Sequence, residues 1–190
     1  MFTNRVAFSN FTEPRWEALR PHLARVSPQG RSIGDLRHRM DGISHLIATD
    51  APCREVPRHY GQAGSVALHF RRLTYAGLWE RLLRALHYLP AGHPHQGLRP
   101  VIFRAARRAY RIRGLGIMVV ARRLGFLGAL PGPSWLVADP DLSKTLVQWQ
   151  LAHRENFGAF VLQWGKTLRN LMGMVGGRPN IPRSVRLAMA

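Results

Sequence analysis

The stretch from Pro52 to Leu86 constrains the fold more than any other part of the chain, because its helix start and stop residues predict three consecutive short helices. Its central segment, Val66 to Tyr75, follows a turn with two glycines and ends at Gly77, a residue type that favours helix ends. Ser65 is placed to cap this segment through its side-chain oxygen. The pattern predicts a helix-turn-helix followed by a supporting helix.

The central segment has two distinct faces when it is placed on a helix, at about 100° per residue. The face predicted to be core carries Val66, Phe70 and Leu73. The opposite face carries Arg71, Arg72 and Tyr75. In a helix-turn-helix the second helix enters the major groove of DNA, where arginine grips phosphates or guanine edges. This face is therefore a candidate DNA-contact surface, and the alternative is an arginine face that meets only solvent.

The charge of the chain also favours a polyanionic partner. There are 28 Lys and Arg against 10 Asp and Glu, a formal net charge of +18, and lysine occurs only at Lys144 and Lys166. Arginine is the side chain best suited to forked contacts with phosphate and guanine. DNA, RNA and an anionic membrane surface all fit this balance, and a genome rich in G and C would produce the same arginine bias.

Cysteine usage and hydropathy indicate a compartment. The single cysteine, Cys53, excludes an intrachain disulfide and fits a reducing cytoplasm. Residues 1–11 are polar, which predicts no secretory signal, and the apolar stretch 115–130 is interrupted by Arg122 and Arg123. We therefore expect a soluble, cytoplasmic, nucleoid-associated protein that does not enter a membrane.

Two helices are predicted ahead of the central motif. Thr12 would cap the first helix, which Pro21 is expected to bend or end, and 33–47 is predicted helical from its apolar spacing. Asp50 would cap a short helix at 53–56. The arginines expected to hold DNA phosphates are Arg37, Arg54, Arg58 and the loop residue Arg31, whose alternative is a solvated loop side chain.

The second half of the chain is predicted to be helical and basic. Residues 99–113 would form a helix, on which Arg104, Arg108 and Arg111 align as a candidate phosphate-binding ridge. A solvated face and an amphipathic membrane helix are the alternatives. Residues 142–174 are also predicted helical, with an apolar stripe that is either core or a dimer seam.

The order and spacing of motifs across residues 11–86 resemble the N-terminal domain of bacterial insertion-sequence transposases of the four/five type. The matching motifs are Thr12-x-x-x-Trp16-x-x-Leu19-x-Pro21-x-Leu23, Gly30-Arg31, Asp35-Leu36-Arg37, Gly42-Ile43, Pro52-x-Arg54-x-x-Pro57-x-x-Tyr60-Gly61, Phe70-Arg71-Arg72 and 77–83. The resemblance implies a small helical DNA-binding domain that helps recognise transposon ends. The family pattern has tryptophan where Cys53 and Leu73 stand.

In the family a DDE catalytic domain normally follows, and its chemistry needs three carboxylates that converge on two metal ions. Beyond Leu86 the acids are Asp139, Asp141 and Glu155, and Asp139 with Pro140 has the pattern of a helix start instead. His87, His93 and His95 lack further ligands at zinc spacing and are interpreted as surface loop residues. We expect no catalytic activity, metal or cofactor.

Together these patterns predict an all-α protein: a helix-turn-helix bundle followed by a second basic helical region. The expected division is a DNA-binding domain at 11–86, a linker at 87–100, a basic helical region of unknown role at 101–175 and a tail at 176–190. The expected function is that of a truncated or accessory insertion-sequence transposase that recognises transposon-end DNA. Its expected partners are double-stranded DNA, a separately encoded DDE subunit if the transposase is split, and, as an open alternative, a second copy. A structural protein that binds RNA or DNA without reading sequence is the competing hypothesis.

Overall fold

The computed structural model describes residues 10–23, 35–50 and 52–177, and this part of the chain is helical with no strand. The all-α prediction is therefore confirmed. The helices are α1 (Glu13–Leu23), α2 (Leu36–Thr49), α3 (Ala63–Tyr75), α4 (Leu78–Tyr88), α5 (Arg99–Arg113), α6 (Leu115–Arg123), α7 (Pro140–Ala152) and α8 (Phe157–Gly176). Short 3₁₀ turns lie at Cys53–Glu55, Arg58–Tyr60, Pro94–Leu98, Leu127–Ala129 and Arg154–Asn156.

The chain divides after Ala129 into two compact units. The first unit contains α1 to α6, and in it α5 packs against α2, α3 and α4. The segment 87–100, where the sequence places a linker, holds the end of α4, a 3₁₀ turn and the start of α5. Helix α5 has the predicted bounds, and the structure groups it with the helices of the transposase-like region. The proposed domain boundaries remain a prediction.

Helix α4 supports α3 from below, as its leucine spacing predicts. The buried leucines of α4 are Leu78, Leu82, Leu83 and Leu86. Trp79 is also buried, and its Nε1 donates to Thr74 Oγ1 at 2.9 Å, which ties the start of α4 to the last turn of α3. Gly77 connects the two helices with a φ of 71°, a left-handed conformation that glycine adopts without strain. The predicted core face of α3 is confirmed, because Val66, Phe70 and Leu73 are all buried.

Predictions at three helix ends differ from the structure. Helix α1 continues through Pro21 to Leu23, so Pro21 does not end the helix. Ser65 lies inside α3, whose first turn begins two residues earlier after Gln62. Asp50 does not start the turn at Cys53–Glu55; it ends α2, with a left-handed φ of 46°.

The start of α2 differs from the sequence pattern as well. Asp35 caps the helix, and its Oδ1 accepts from the His38 backbone amide at 2.8 Å. The pattern placed the start at Ile33, which lies outside the described residues. The short polar side chain of Asp35 supplies the acceptor that the free amides of a first turn require.

The second unit contains an antiparallel pair of helices. Residues 142–174 are helical as predicted, but they form two helices, since the chain breaks at Arg154–Asn156 and α8 packs back on α7. This reversal packs the two helices around the buried residues Leu146, Phe160 and Leu168. Phe157, Val161 and Trp164 of the predicted apolar stripe remain exposed. As predicted, Asp139 caps α7 and accepts from the Leu142 amide at 3.3 Å. Within the described ranges, no helix is both long and apolar enough to cross a bilayer.

Candidate nucleic-acid interface

Helix α3 presents a basic, exposed face beside its buried one. Arg71 and Arg72 are exposed, and Tyr75 is 58% exposed at the end of the same helix. Neither arginine side chain makes a hydrogen bond or ion pair with any residue in the described part of the chain. The structure therefore places these three side chains on the outside of α3, as predicted. The guanidinium groups of Arg71 and Arg72 are available to an external anion.

The turn before α3 is fixed against α2 by a close approach. A Cβ on Gly42 would lie 2.7 Å from the Cβ of Tyr60, so only glycine allows this contact. Tyr60 is buried, and Gly61 follows it with a φ of 101°. Where the pattern predicts the first helix of a helix-turn-helix, the chain makes two 3₁₀ turns. Arg54 and Arg58, two of the predicted phosphate contacts, lie in these turns with exposed side chains.

Arg37, one of the predicted phosphate contacts, makes intramolecular contacts instead. Its Nη1 pairs with Glu13 Oε2 at 2.5 Å, its Nη2 donates to the Phe11 carbonyl at 3.0 Å, and its guanidinium lies 5.9 Å from the centre of the Trp16 ring. These contacts join α1 to α2, a role that the sequence does not reveal because the partners are more than twenty residues away. Arg31, the other expected phosphate contact in this region, lies outside the described residues.

The arginines of the candidate ridge on α5 differ in whether they bind other parts of the protein. Arg104 donates to the Ala48 carbonyl at 2.7 Å, and Arg108 lies 3.4 Å from Asp50 Oδ1, so both satisfy the C-terminal end of α2. Burial lowers the pKa of Arg104 from its ordinary value, while Asp50 opposes that shift. Arg111, one further turn along α5, is exposed.

A groove of about 520 Å³ between α3 and α5 brings residues of both candidate surfaces together. Its basic lining residues are Arg71, Arg108 and Arg111. Its other lining residues are Leu46, Cys53, Gly64, Ala67, Leu68, Phe70 and Ile112. Arg72 and Tyr75 do not line the groove. The sequence indicates neither the groove nor this pairing, because the two helices are separated by a whole intervening helix.

The histidines of the 93–98 segment differ from the prediction of surface loop residues. His95 is only 5% exposed; its Nε2 lies 2.9 Å from His22 Nε2 and its Nδ1 lies 3.1 Å from His93 Nδ1. The pKa of His95 is lowered to about 4, chiefly by burial and further by the neighbouring His22 and His93. His87 is exposed as predicted, but it lies in the last turn of α4 and not in a loop. Among residues 10–23, 35–50 and 52–177, no group of three or more ligand side chains is arranged to hold a metal ion.

Comparison with known proteins gives one match, and it falls on the region that carries the α3 face. The family model described as "Putative transposase of IS4/5 family (DUF4096)" matches residues 11–83. Neither the curated proteins nor the solved structures give a significant match to the chain. The matched residues contain α1 to α3 and the first half of α4, and they agree with the resemblance found across 11–86. Residues 11–83 are therefore similar to the N-terminal region of IS4/5-type transposases.

Proposed function

We propose that this protein binds double-stranded DNA through the outward face of α3 and recognises the ends of an insertion sequence. The observation that supports this proposal most strongly is the pair of exposed arginines, Arg71 and Arg72, without described partners on a helix whose other face is core. A helix anchored in this way holds its guanidinium groups in a fixed register, which base recognition requires.

The surrounding charges fit the same orientation of the duplex. With α3 in the major groove, Arg54 and Arg58 on the preceding turns would face the sugar-phosphate backbone. Tyr75 at the end of the helix would add a hydroxyl and an aromatic surface. One bidentate arginine contact to guanine is worth about 1–3 kcal/mol of discrimination against another base.

We further propose that the protein does no chemistry on DNA itself and acts with a separately encoded DDE subunit. Two of the three acids after Leu86 support this proposal. Asp139 is occupied as the cap of α7, and Asp141 is the second residue of the same helix. An N-terminal cap and a first-turn acid are the usual positions of carboxylates at a helix start.

The experiment is a selection of duplexes from a randomised library with the full chain, followed by fluorescence anisotropy on the selected duplex and a scrambled one. We expect the Arg71→Ala, Arg72→Ala double variant to lose most of the preference for the selected duplex. Arg84→Ala is the matched control, because Arg84 is an exposed arginine on the neighbouring helix α4. The proposal would be contradicted if the selection yields no preferred sequence and the double variant binds DNA as tightly as the wild-type chain does.

The second candidate function is binding of DNA or RNA by charge alone. The formal net charge of +18 favours it, since sequence-independent affinity follows the number of phosphates neutralised. In the same assay this function predicts equal affinity for selected and scrambled duplexes. It also predicts that Arg84→Ala weakens binding as much as Arg71→Ala does.

A further inference from the structure

The groove between α3 and α5 has a charge distribution that fits a nucleic-acid backbone. Three arginines line it and no acidic residue does. Its remaining walls are mostly apolar, with Leu68 48% exposed on the α3 side and Ile112 on the α5 side. A strand of DNA has the complementary composition, because charged phosphates alternate with deoxyribose rings along it.

The three arginines differ in how free they are. Arg108 is held on the groove wall by the Leu46 carbonyl at 3.5 Å and by Asp50, so it supplies a fixed positive charge. Arg71 and Arg111 are exposed and have no partner among the described residues. They extend into the groove from different helices, so an anion held by both would bridge α3 and α5.

We propose that the backbone of one DNA strand lies in this groove, with its phosphates held by Arg71 and Arg111. This proposal rests on the DNA-binding function proposed above. It makes α5, which lies beyond the matched region 11–83, part of the same interface. Leu68 then packs against deoxyribose, which explains an exposed leucine at the centre of a basic face.

The groove also separates the roles of the two neighbouring arginines of α3. Arg71 lines the groove, whereas Arg72 does not and projects about 100° further around the helix. Arg71 is thus a phosphate-binding residue and Arg72 is the residue that contacts base edges. Removing a phosphate-binding side chain weakens binding to all sequences alike, whereas removing a base-reading side chain reduces the preference for one sequence.

The test measures the salt dependence of Kd for selected and scrambled duplexes with the wild-type chain and the variants Arg71→Ala, Arg111→Ala, Arg72→Ala and Arg84→Ala. Removing one phosphate-binding arginine should reduce the slope of log K against log salt by about 0.9 and weaken binding about fivefold near 0.15 M salt. We expect this change, equal on both duplexes, for Arg71→Ala and Arg111→Ala. Arg72→Ala should narrow the gap between the two duplexes, and Arg84→Ala should match the wild type.

Two failures are distinguishable. If the wild-type chain binds no duplex, or binds with no preference that Arg72→Ala reduces, the proposed function fails. If the wild type binds selectively but Arg111→Ala keeps the wild-type slope and affinity, the groove proposal alone is wrong. Circular dichroism of each variant checks that α3 and α5 remain folded. Because Arg111 is exposed and makes no hydrogen bond or ion pair with a described residue, its removal should leave the helical signal unchanged.

Discussion

Acidification should destabilise the first unit through the buried histidine of the 93–98 turn. His95 lies between His22 of α1 and His93 of its own turn, and its ring connects two segments that are distant in sequence. Two arginines lie near this cluster: Arg15 packs beside the same turn, and Arg81 donates to the His22 carbonyl at 3.5 Å. They add positive charge near His22 and His93, the two groups that lower the pKa of His95 beyond the effect of burial.

The sign follows from the direction of the pKa shift. The pKa of His95 falls from an ordinary value of 6.5 to about 4 in the folded chain, chiefly because the ring is buried. Between these two values the unfolded chain binds the proton more tightly, so the free energy of unfolding decreases as the pH falls. From about pH 7 to pH 5 the loss amounts to about 2 kcal/mol.

Urea denaturation of the full chain at a series of pH values, followed by tryptophan fluorescence, measures this effect. His95→Gln should remove about 2 kcal/mol of the pH dependence between pH 7 and pH 5, whatever its effect on absolute stability. Burial also lowers the pKa of His45 and His69, but both remain in the variant, so the difference isolates His95. His87→Gln, at an exposed histidine, is the control. A wild-type pH dependence in His95→Gln would refute the reasoning.

Two substitutions test how α3 is anchored. Gly42→Ala should lower the free energy of unfolding, measured by urea denaturation, by about 1–3 kcal/mol, because the new Cβ would lie 2.7 Å from Tyr60 Cβ. Gly64→Ala is the control and should not lower the free energy of unfolding, because the space around Gly64 is open. Trp79→Phe removes the donor to Thr74 Oγ1 and should cost about 1–2 kcal/mol in the same assay; an unchanged midpoint would show that this bond contributes nothing.

Periodicity made the two faces of α3 predictable from the sequence. Val66 and Phe70 repeat at helical spacing and must be buried together, which leaves Arg71 and Arg72 outside whatever the partner helices are. The bounds of α5 were predictable for the same reason. The start of α3 was not predictable, since Gln62 precedes the helix without a side-chain capping bond and the sequence pattern placed the cap at Ser65 instead.

Contacts between distant segments were beyond the sequence. Arg104 has the spacing of a phosphate-binding ridge, yet it donates to a carbonyl 56 residues earlier in the chain. His95 reaches His22 across 73 residues, and the groove that joins Arg71 to Arg111 exists only because α5 packs on α3. A single sequence gives the chemistry of each residue but not which distant residue it contacts in the fold.

Photo-crosslinking tests most directly whether the outward face of α3 contacts DNA. The photoreactive residue p-benzoylphenylalanine replaces either Tyr75, at the end of α3, or Tyr88, at the end of α4; both are exposed tyrosines, at 58% and 77%. On irradiation with the selected duplex, the chain with the probe at position 75 should crosslink to DNA, and the chain with the probe at position 88 should not. Crosslinking from position 88 with none from position 75 would contradict the account.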